Sequence, residues 1–295
     1  TMNDLVTIAI PTYNRADKFL KQVITAALDQ TWKNIEVLIG DNASTDHTKD
    51  IVLSFEDNRI KYFQHSKNIG ANSNFNTLLN KAKGKWFFLF HDDDMIDKDF
   101  IETCISVTKG KTNLGFIRTG VRAIDKNGKI LKERPNKLLG QTREDFYRSW
   151  FFSKTGLYLC NTLFNTQHLK NIGGFKSLHN LLEDNYALVK LLEYCDHGEV
   201  EEIKASYRYT YEQRTFDVPV KAWCEDFRCL LDMIISQCNK NERNKIELQG
   251  LKFFGHLCLR RANANQSLIQ RFLAKIIIVR YFNLKILLKK IKRIN

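Results

Sequence analysis

Three adjacent carboxylates, Asp92-Asp93-Asp94, follow His91 and a run of apolar residues, Trp86–Phe90. Adjacent carboxylates repel, so ionising all three is costly unless a cation or hydrogen-bond donors compensate. Hard divalent ions such as Mg²⁺ and Mn²⁺ take oxygen ligands of this kind and often share them with substrate phosphates. The other reading is a solvated loop whose last Asp caps a helix near Asp97. His91 reads as a packed or hydrogen-bonded neighbour rather than a ligand. Two further acids stand where chemistry is possible. Asp41 opens the stretch DNASTD, which suits either a turn and N-cap or a site acid. Glu183-Asp184 opens a helical stretch, where acids often act as dipole partners. Carboxylates from separate segments that face one cleft can also divide cation binding from general-base work.

These acids need elements to position them. Leu5–Ile10 reads as a buried strand ending at Pro11, which cannot continue a central ladder. Ala16–Gln30 follows as a helix, with Phe19, Leu20, Val23, Ile24, Ala27 and Leu28 at helical spacing. Ile35–Ile39 is a second strand, and Ser44 or Thr45 can cap a helix running to about Phe55. Ile60–Phe63 is a short strand, residues 71–83 are a helix closed by Gly84, and Trp86–Phe90 is a fourth strand. This β-α-β-α-β-α-β order predicts a mainly parallel sheet with helices on both faces. Ligands of such sheets bind beyond the carboxyl ends of the strands, here PTYNR, DNASTD and HDDD. After about Thr108 the pattern loosens. Gly115–Ile124 and Lys129–Leu131 form strands around the turn Asp125-Lys126-Asn127-Gly128. A helix near Arg143–Phe152, a strand near Tyr158–Phe164, a Gly173-Gly174-Phe175 turn and a helix over Leu182–Tyr194 follow. From about Val218 the chain reads as helices near 218–238, 241–262 and 267–293. The expected division is 1–108, 109–216 and 217–295.

Composition narrows the function classes. The 295 residues carry 46 Lys+Arg against 33 Asp+Glu, a net charge of +13. Residues 248–295 hold 11 of those bases and no acid, so the body is nearly neutral and the tail basic. That distribution argues against a surface built for nucleic acid. Seven cysteines without C-x-x-C spacing fit a reducing cytosol rather than a disulfide framework or zinc site. The start, TMNDLVTIAIPTYNR, has no basic segment leading into an apolar one, so no signal peptide is expected. No stretch reaches the ~18 apolar residues of a membrane span. In the last helix Ile269, Leu273, Ile276, Ile277, Leu284, Leu287, Leu288, Ile291 and Ile294 form an apolar stripe. Arg271, Lys275, Lys285, Lys289, Lys292 and Arg293 lie largely opposite, and Arg280 interrupts the apolar side. This pattern fits either an interfacial helix on anionic lipid or a helix packed on protein.

Taken together, four ordered motifs resemble the family 2 glycosyltransferases of bacterial surface-polysaccharide type. They are VTIAIPTYNR, IEVLIGDNASTD, NIGANSN leading to GKWFFLFHDDD, and GGF followed by LLED, and the resemblance covers residues 5–212. It implies a Rossmann-like α/β fold of the GT-A type, with a helical C-terminal region added. It also implies an inverting, metal-dependent transfer from a nucleotide-sugar, UDP by default, to a glycan or lipid-linked acceptor. By that resemblance Pro11, Thr12, Tyr13, Asn14 and Arg15 line the nucleotide site, and Asp41 accepts a hydrogen bond from the base. Asn68, Gly70 and Asn74, in the NIGANSN stretch that leads to the metal motif, are by the same resemblance substrate-binding. Asp92, Asp93 and Asp94 hold the diphosphate through Mn²⁺ or Mg²⁺, with Asp94 the first metal ligand and Asp92 the second. Asp184 is the general base and Glu183 its orienter or alternative. His91 stands where many relatives carry Asp. Arg208 and Arg214 could clamp the diphosphate or serve as surface ion pairs. The expected location is the cytoplasm, peripheral on the inner face of the membrane.

Three rivals remain in view. A nicotinamide-dependent oxidoreductase needs G-x-G-x-x-G after the first strand, and PTYNRAD has no glycine. A sugar nucleotidyltransferase would carry a Gly-rich basic loop there, which is absent. A non-catalytic basic module binding membrane or nucleic acid draws support from the tail alone.

Overall fold

A computed structural model describes residues 3–209, 218–264 and 267–283. In chain order the elements are β1 (Val6–Thr12), α1 (Leu20–Leu28), β2 (Ile35–Asp41), α2 (Thr48–Leu53), β3 (Ile60–Gln64), α3 (Ala71–Lys81) and β4 (Trp86–Leu89). Next come β5 (Met95–Ile96), α4 (Phe100–Ser106), β6 (Leu114–Ile124), β7 (Ile130–Arg134), α5 (Arg143–Phe151), β8 (Thr162–Asn165) and α6 (Thr166–Asn171). The last are α7 (Glu183–Tyr194), β9 (Asp196–Arg208), α8 (Val220–Gln237), α9 (Lys240–Ala264) and α10 (Leu268–Phe282).

The chain divides into two compact units. The first comprises Thr1–Lys137, Thr155–Phe175 and Lys190–Thr210, and the second Leu138–Lys154, Lys176–Val189 and Tyr211–Asn295. The first unit holds a nine-stranded sheet in the order β3-β2-β1-β4-β8-β6-β9-β5, with β7 paired to β6. Strands β3, β2, β1 and β4 are parallel, as the β-α alternation predicts. Beyond β4 the sheet is mixed: β8 runs antiparallel to both β4 and β6, while β9 runs parallel to β6. Val6, Ile8, Ile10, Val37, Ile39, Phe88 and Phe90 join Leu20, Val23 and Ile24 of α1 in one apolar core.

Strand β1 runs two residues past the expected end at Ile10, pairing Pro11 with Gly40 and Thr12 with Asp41. Ala9 O accepts from Phe90 N at 2.8 Å, so by alternation Pro11 points to the β4 side. There the ladder has ended at Ala9 and Leu89, and the missing N–H leaves no partner unmet. The helix after β2 starts at Thr48 rather than at Ser44 or Thr45, and Asp46 Oδ1 accepts from Thr48 N at 3.0 Å. Strand β9, the longest, has no counterpart in the sequence reading. Its register against β6 shifts three times, which breaks the period-two alternation that marks a half-buried strand.

Two devices lock distant segments. The guanidinium of Arg118, wholly buried on β6, donates to Glu199 Oε2 at 2.9 Å, Thr155 Oγ1 at 2.9 Å and Gly156 O at 3.2 Å. The Gly173-Gly174-Phe175 turn docks on α3, where Asn72 and Asn76 donate to Phe175 O at 2.8 and 2.9 Å. Gly174 has φ 73°, and a Cβ there would collide with Asn76 Oδ1, so this position requires glycine.

The second unit is helical. Trp150 and Phe151 of α5 meet Phe253 and Phe254 of α9, and Phe227 of α8 stacks on Phe254 with ring centroids 4.9 Å apart. Helix α10 buries Ala274, Ile278 and Phe282, while Leu268, Ile269, Phe272, Leu273 and Ile276 are 53–82% exposed. Of the apolar stripe expected for the tail, Ile269, Leu273 and Ile276 are exposed and Ile277 is half-buried, while the buried side of α10 is made by other residues. Residues 284–295, which carry the rest of that stripe, lie outside the described residues. Among the described residues no cysteine forms a disulfide, and no helix is long and apolar enough to cross a membrane.

Candidate active site

In the first unit, loops leave the carboxyl ends of three parallel neighbours, β1, β2 and β4. The β1 and β2 loops are stitched together. Asn14 takes φ 52°, a left-handed conformation that Asn tolerates, and its N–H donates to Ser44 Oγ at 2.8 Å. Thr45 N donates to Asn14 Oδ1 at 2.8 Å, Arg15 N to Thr48 Oγ1 at 3.2 Å, and Ala16 N to Asp46 Oδ2 at 3.1 Å. Pro11 and Thr12 are buried, whereas the Tyr13 ring is 45% exposed on this edge.

Asp41 is fully buried, and its carboxylate accepts from Ser44 N at 2.8 Å, Tyr62 Oη at 2.7 Å and Gln64 Nε2 at 3.3 Å. A carboxylate has about four acceptor positions, and three are taken internally here. Its bond from Ser44 N forms a turn after β2, while the cap position of α2 is His47. Asn74 is likewise committed: it donates to Gly40 O at 2.7 Å and its Oδ1 meets His65 Nε2 at 3.0 Å. Asn68 Oδ1 accepts from Asn42 Nδ2 and from the N–H of Gly70, which has φ 83°.

The Asp triplet separates into two functions of geometry. Asp92 turns toward Arg15, Oδ1 to Nε 3.5 Å. Burial pushes its carboxyl up to about 7, while the Arg15 charge opposes that rise. His91, Asp93 and Asp94 instead converge, each offering a ligand atom, all within 4.8 Å of one another. The expected metal pair was Asp94 with Asp92; the cluster retains Asp94 but brings Asp93 and His91 beside it. Burial and the neighbouring Asp93 raise the Asp94 carboxyl well above the ordinary carboxylate value. Two carboxylates and an imidazole nitrogen gathered this closely are a donor set a divalent cation fits.

Arg208 closes this group from β9. Its backbone N–H donates to Asp94 Oδ1 at 3.1 Å and its Nε to Asp93 O at 2.8 Å. Its Nη1 donates to Asp125 O at 3.0 Å and to Lys126 O at 3.2 Å. The guanidinium lies 4.0 Å over the Phe19 ring. The guanidinium expected to clamp a diphosphate is therefore occupied by backbone carbonyls. Arg214 lies outside the described residues.

The second unit carries Glu183 and Asp184 in the first turn of α7, both partly buried. Desolvation lifts the Asp184 carboxyl to about 6, offset in part by Asn185 N, which donates to Asp184 Oδ1 at 2.8 Å. Sequence reasoning missed Asp226 of α8, whose buried carboxylate gathers the backbone just ahead of Asp184. Acids such as Glu225 and Asp226 within a long helical pattern give no signal of that kind.

Comparison with known proteins identifies the family and the fold. The chain matches Glycosyl transferase family 2 over residues 7–173. Among curated relatives, an uncharacterized glycosyltransferase of Rickettsia bellii is 38% identical over 143 residues, 47% of this chain and 20% of that protein. The GalNAc(5)-diNAcBac-PP-undecaprenol beta-1,3-glucosyltransferase of Campylobacter jejuni is 31% identical over 154 residues, 50% of this chain and 48% of that protein. The chain spans less than half the length of these relatives. Among solved structures, S. aureus TarS 1-349 in complex with UDP-GlcNAc has a TM-score of 0.72 at 16% identity, covering 95% of this chain and 82% of that one. The mannosyltransferase PcManGT of Pyrobaculum calidifontis, in complex with GDP-Man and Mn²⁺, has a TM-score of 0.55 at 15% identity, covering 95% and 81%. The structural likenesses establish a GT-A fold, and the match over more than half of its residues establishes that the chain belongs to glycosyl transferase family 2.

Proposed function

We propose that this glycosyltransferase inverts configuration, moving a sugar from a nucleoside-diphosphate sugar to a hydroxyl of a glycan or lipid-linked acceptor. The observation that carries this reading is the convergence of His91, Asp93 and Asp94 where β4 ends beside the stitched β1 and β2 loops. UDP is the default nucleotide, supported by the UDP-GlcNAc complex of the fold neighbour TarS. A lipid-linked acceptor draws support from the Campylobacter relative, whose name specifies an undecaprenol-linked one.

The exposed Tyr13 ring offers a stacking face to the nucleobase, and Asn14 and the backbone around it shape the wall. Arg15, held beside Asp92, presents a fixed positive charge to the phosphates. Asp94, Asp93 and His91 would hold Mn²⁺ or Mg²⁺, which acts as a Lewis acid toward a diphosphate leaving group. Asp184 accepts the acceptor hydroxyl's proton as that oxygen attacks the anomeric carbon opposite the departing diphosphate. A carboxyl lifted to about 6 is deprotonated at neutral pH yet more basic than an ordinary carboxylate, as a general base requires. Glu183 is the alternative base or its orienter. The decisive assay offers UDP-, GDP- and dTDP-sugars with Mn²⁺ or Mg²⁺ and measures nucleoside diphosphate release. Release from none of them, with oligonucleotide binding that weakens with salt, would favour a binding module instead.

The enzyme works at the cytoplasmic face of the membrane, peripherally attached. Support comes from the exposed apolar edge of α10, Leu268, Ile269, Phe272, Leu273 and Ile276, in a region with 11 bases and no acid. Co-sedimentation with vesicles containing anionic lipid should fall when Ile269 and Phe272 are changed to Asp. A change in oligomeric state with equal pelleting would assign the edge to a second copy.

A further inference from the structure

Asp226 of α8 is wholly buried, and all its side-chain donors come from one short segment. Ser177 Oγ at 2.8 Å and Leu181 N at 3.1 Å donate to Oδ2, and His179 N at 2.8 Å donates to Oδ1. Ser177 Oγ in turn accepts from Leu181 N at 3.1 Å and Leu182 N at 3.2 Å. The adjacent Glu225 holds the His179 ring at 2.8 Å, and Asp226 O accepts from the Tyr186 hydroxyl of α7 at 3.1 Å. The gathered segment includes Asn180 at φ 53° and runs directly into Glu183 and Asp184.

Backbone donors outside helices and sheets must find partners when they leave water. Here they find one carboxylate, which accepts at both oxygens and donates at neither. An amide in its place would turn an N–H toward either His179 N or Leu181 N. We propose that Asp226 is a positioning residue for the glycosyl transfer: it sets where α7 begins and so where the Asp184 carboxylate stands. The proposal rests on Asp184 being the base. Reaction geometry is sensitive at this scale, since a displacement of about 1 Å can cost on the order of 10²-fold in rate.

The test compares Asp226→Asn and Ser177→Ala with Asp184→Asn in the full chain, with turnover normalised to molecules that bind UDP in a titration. Asp226→Asn is expected to lower kcat about 10- to 100-fold with donor KM and UDP affinity kept within about twofold. Amide exchange at His179, Leu181 and Leu182 should accelerate at least about tenfold. Ser177→Ala, which removes the three hydrogen bonds of Ser177 Oγ and keeps the carboxylate, should lower kcat in the same direction by about threefold or more. Wild-type kcat per UDP-binding molecule in either variant overturns the proposal, as does loss of donor affinity in step with turnover. If Asp226→Asn does not fold, Ser177→Ala decides alone. Wild-type turnover in Asp184→Asn rejects the base assignment itself, whereas an inactive Asp184→Asn beside a fully active Asp226→Asn rejects only the positioning role.

Discussion

Arg208 supports Asp94 from 114 residues away: its backbone N–H donates to Asp94 Oδ1 at 3.1 Å. Through its guanidinium the same residue ties the triplet loop to the 125–128 turn, accepted by Asp93 O, Asp125 O and Lys126 O. This geometry separates a support for the cation site from a clamp on the substrate. Arg208→Ala keeps the backbone bond but removes the guanidinium donor from Asp93 O and Lys126 O, while Asp125 O keeps Gly128 N at 3.0 Å. It is expected to weaken Mn²⁺ binding without nucleotide by roughly tenfold, about 1.4 kcal/mol. Mn²⁺ titration by electron paramagnetic resonance checks this, and a variant that loses only nucleotide affinity would restore the clamp.

Asp184 makes a pH prediction. Its carboxyl, lifted to about 6 by burial, must be deprotonated to accept a proton. Hence kcat should rise with pH through about 6 and level off above it. Asp184→Asn should lower kcat at least ~10²-fold and keep donor affinity, measured by single-turnover kinetics and calorimetry. An unchanged acid limb in that variant would assign the limb to another group.

The triplet makes a stability prediction of opposite sense. The folded protein lifts Asp92 from 3.8 to about 7, so it binds this proton more tightly than the unfolded chain does. The contribution is fully present below pH 4 and is lost as pH rises through 7. A cation at the neighbouring cluster competes with protons and favours the charged carboxylates. Saturating Mn²⁺ should therefore raise Tm more at pH 8 than at pH 5.5, and Asp94→Ala should remove the difference. Equal shifts at both pH values would detach the cation from this cluster.

The core of the sheet offers a prediction independent of catalysis. Arg118 and Glu199 form a buried pair across β6 and β9, and burial is what makes separating them costly. Arg118→Ala takes the guanidinium from Glu199, leaving its carboxylate Asn136 and the His197 ring, and is expected to cost about 3–5 kcal/mol, read from urea unfolding. Replacing both partners with apolar residues of similar volume should recover much of that loss.

The sequence by itself determined the β-α alternation of the first hundred residues, the three strand-end loops and the family. Those features are local. Helical and strand periodicities span a few residues, glycine marks turns through its own φ, and acids at strand ends sit within short motifs. Only the tertiary structure decided which acid meets which partner. Asp92 falls to Arg15 and Asp93 joins His91 because the chain turns within the triplet, which no spacing of identical residues reveals. Strand β9 was hidden because three register shifts against β6 erase its alternation. Arg208 meets Asp94 across 114 positions, and Asp226 gathers segment 177–181 across 45 to 49, contacts that exist only once strands and helices have packed. Residue types and spacing singled out the carboxylates; the long-range pairing gave each carboxylate its partners.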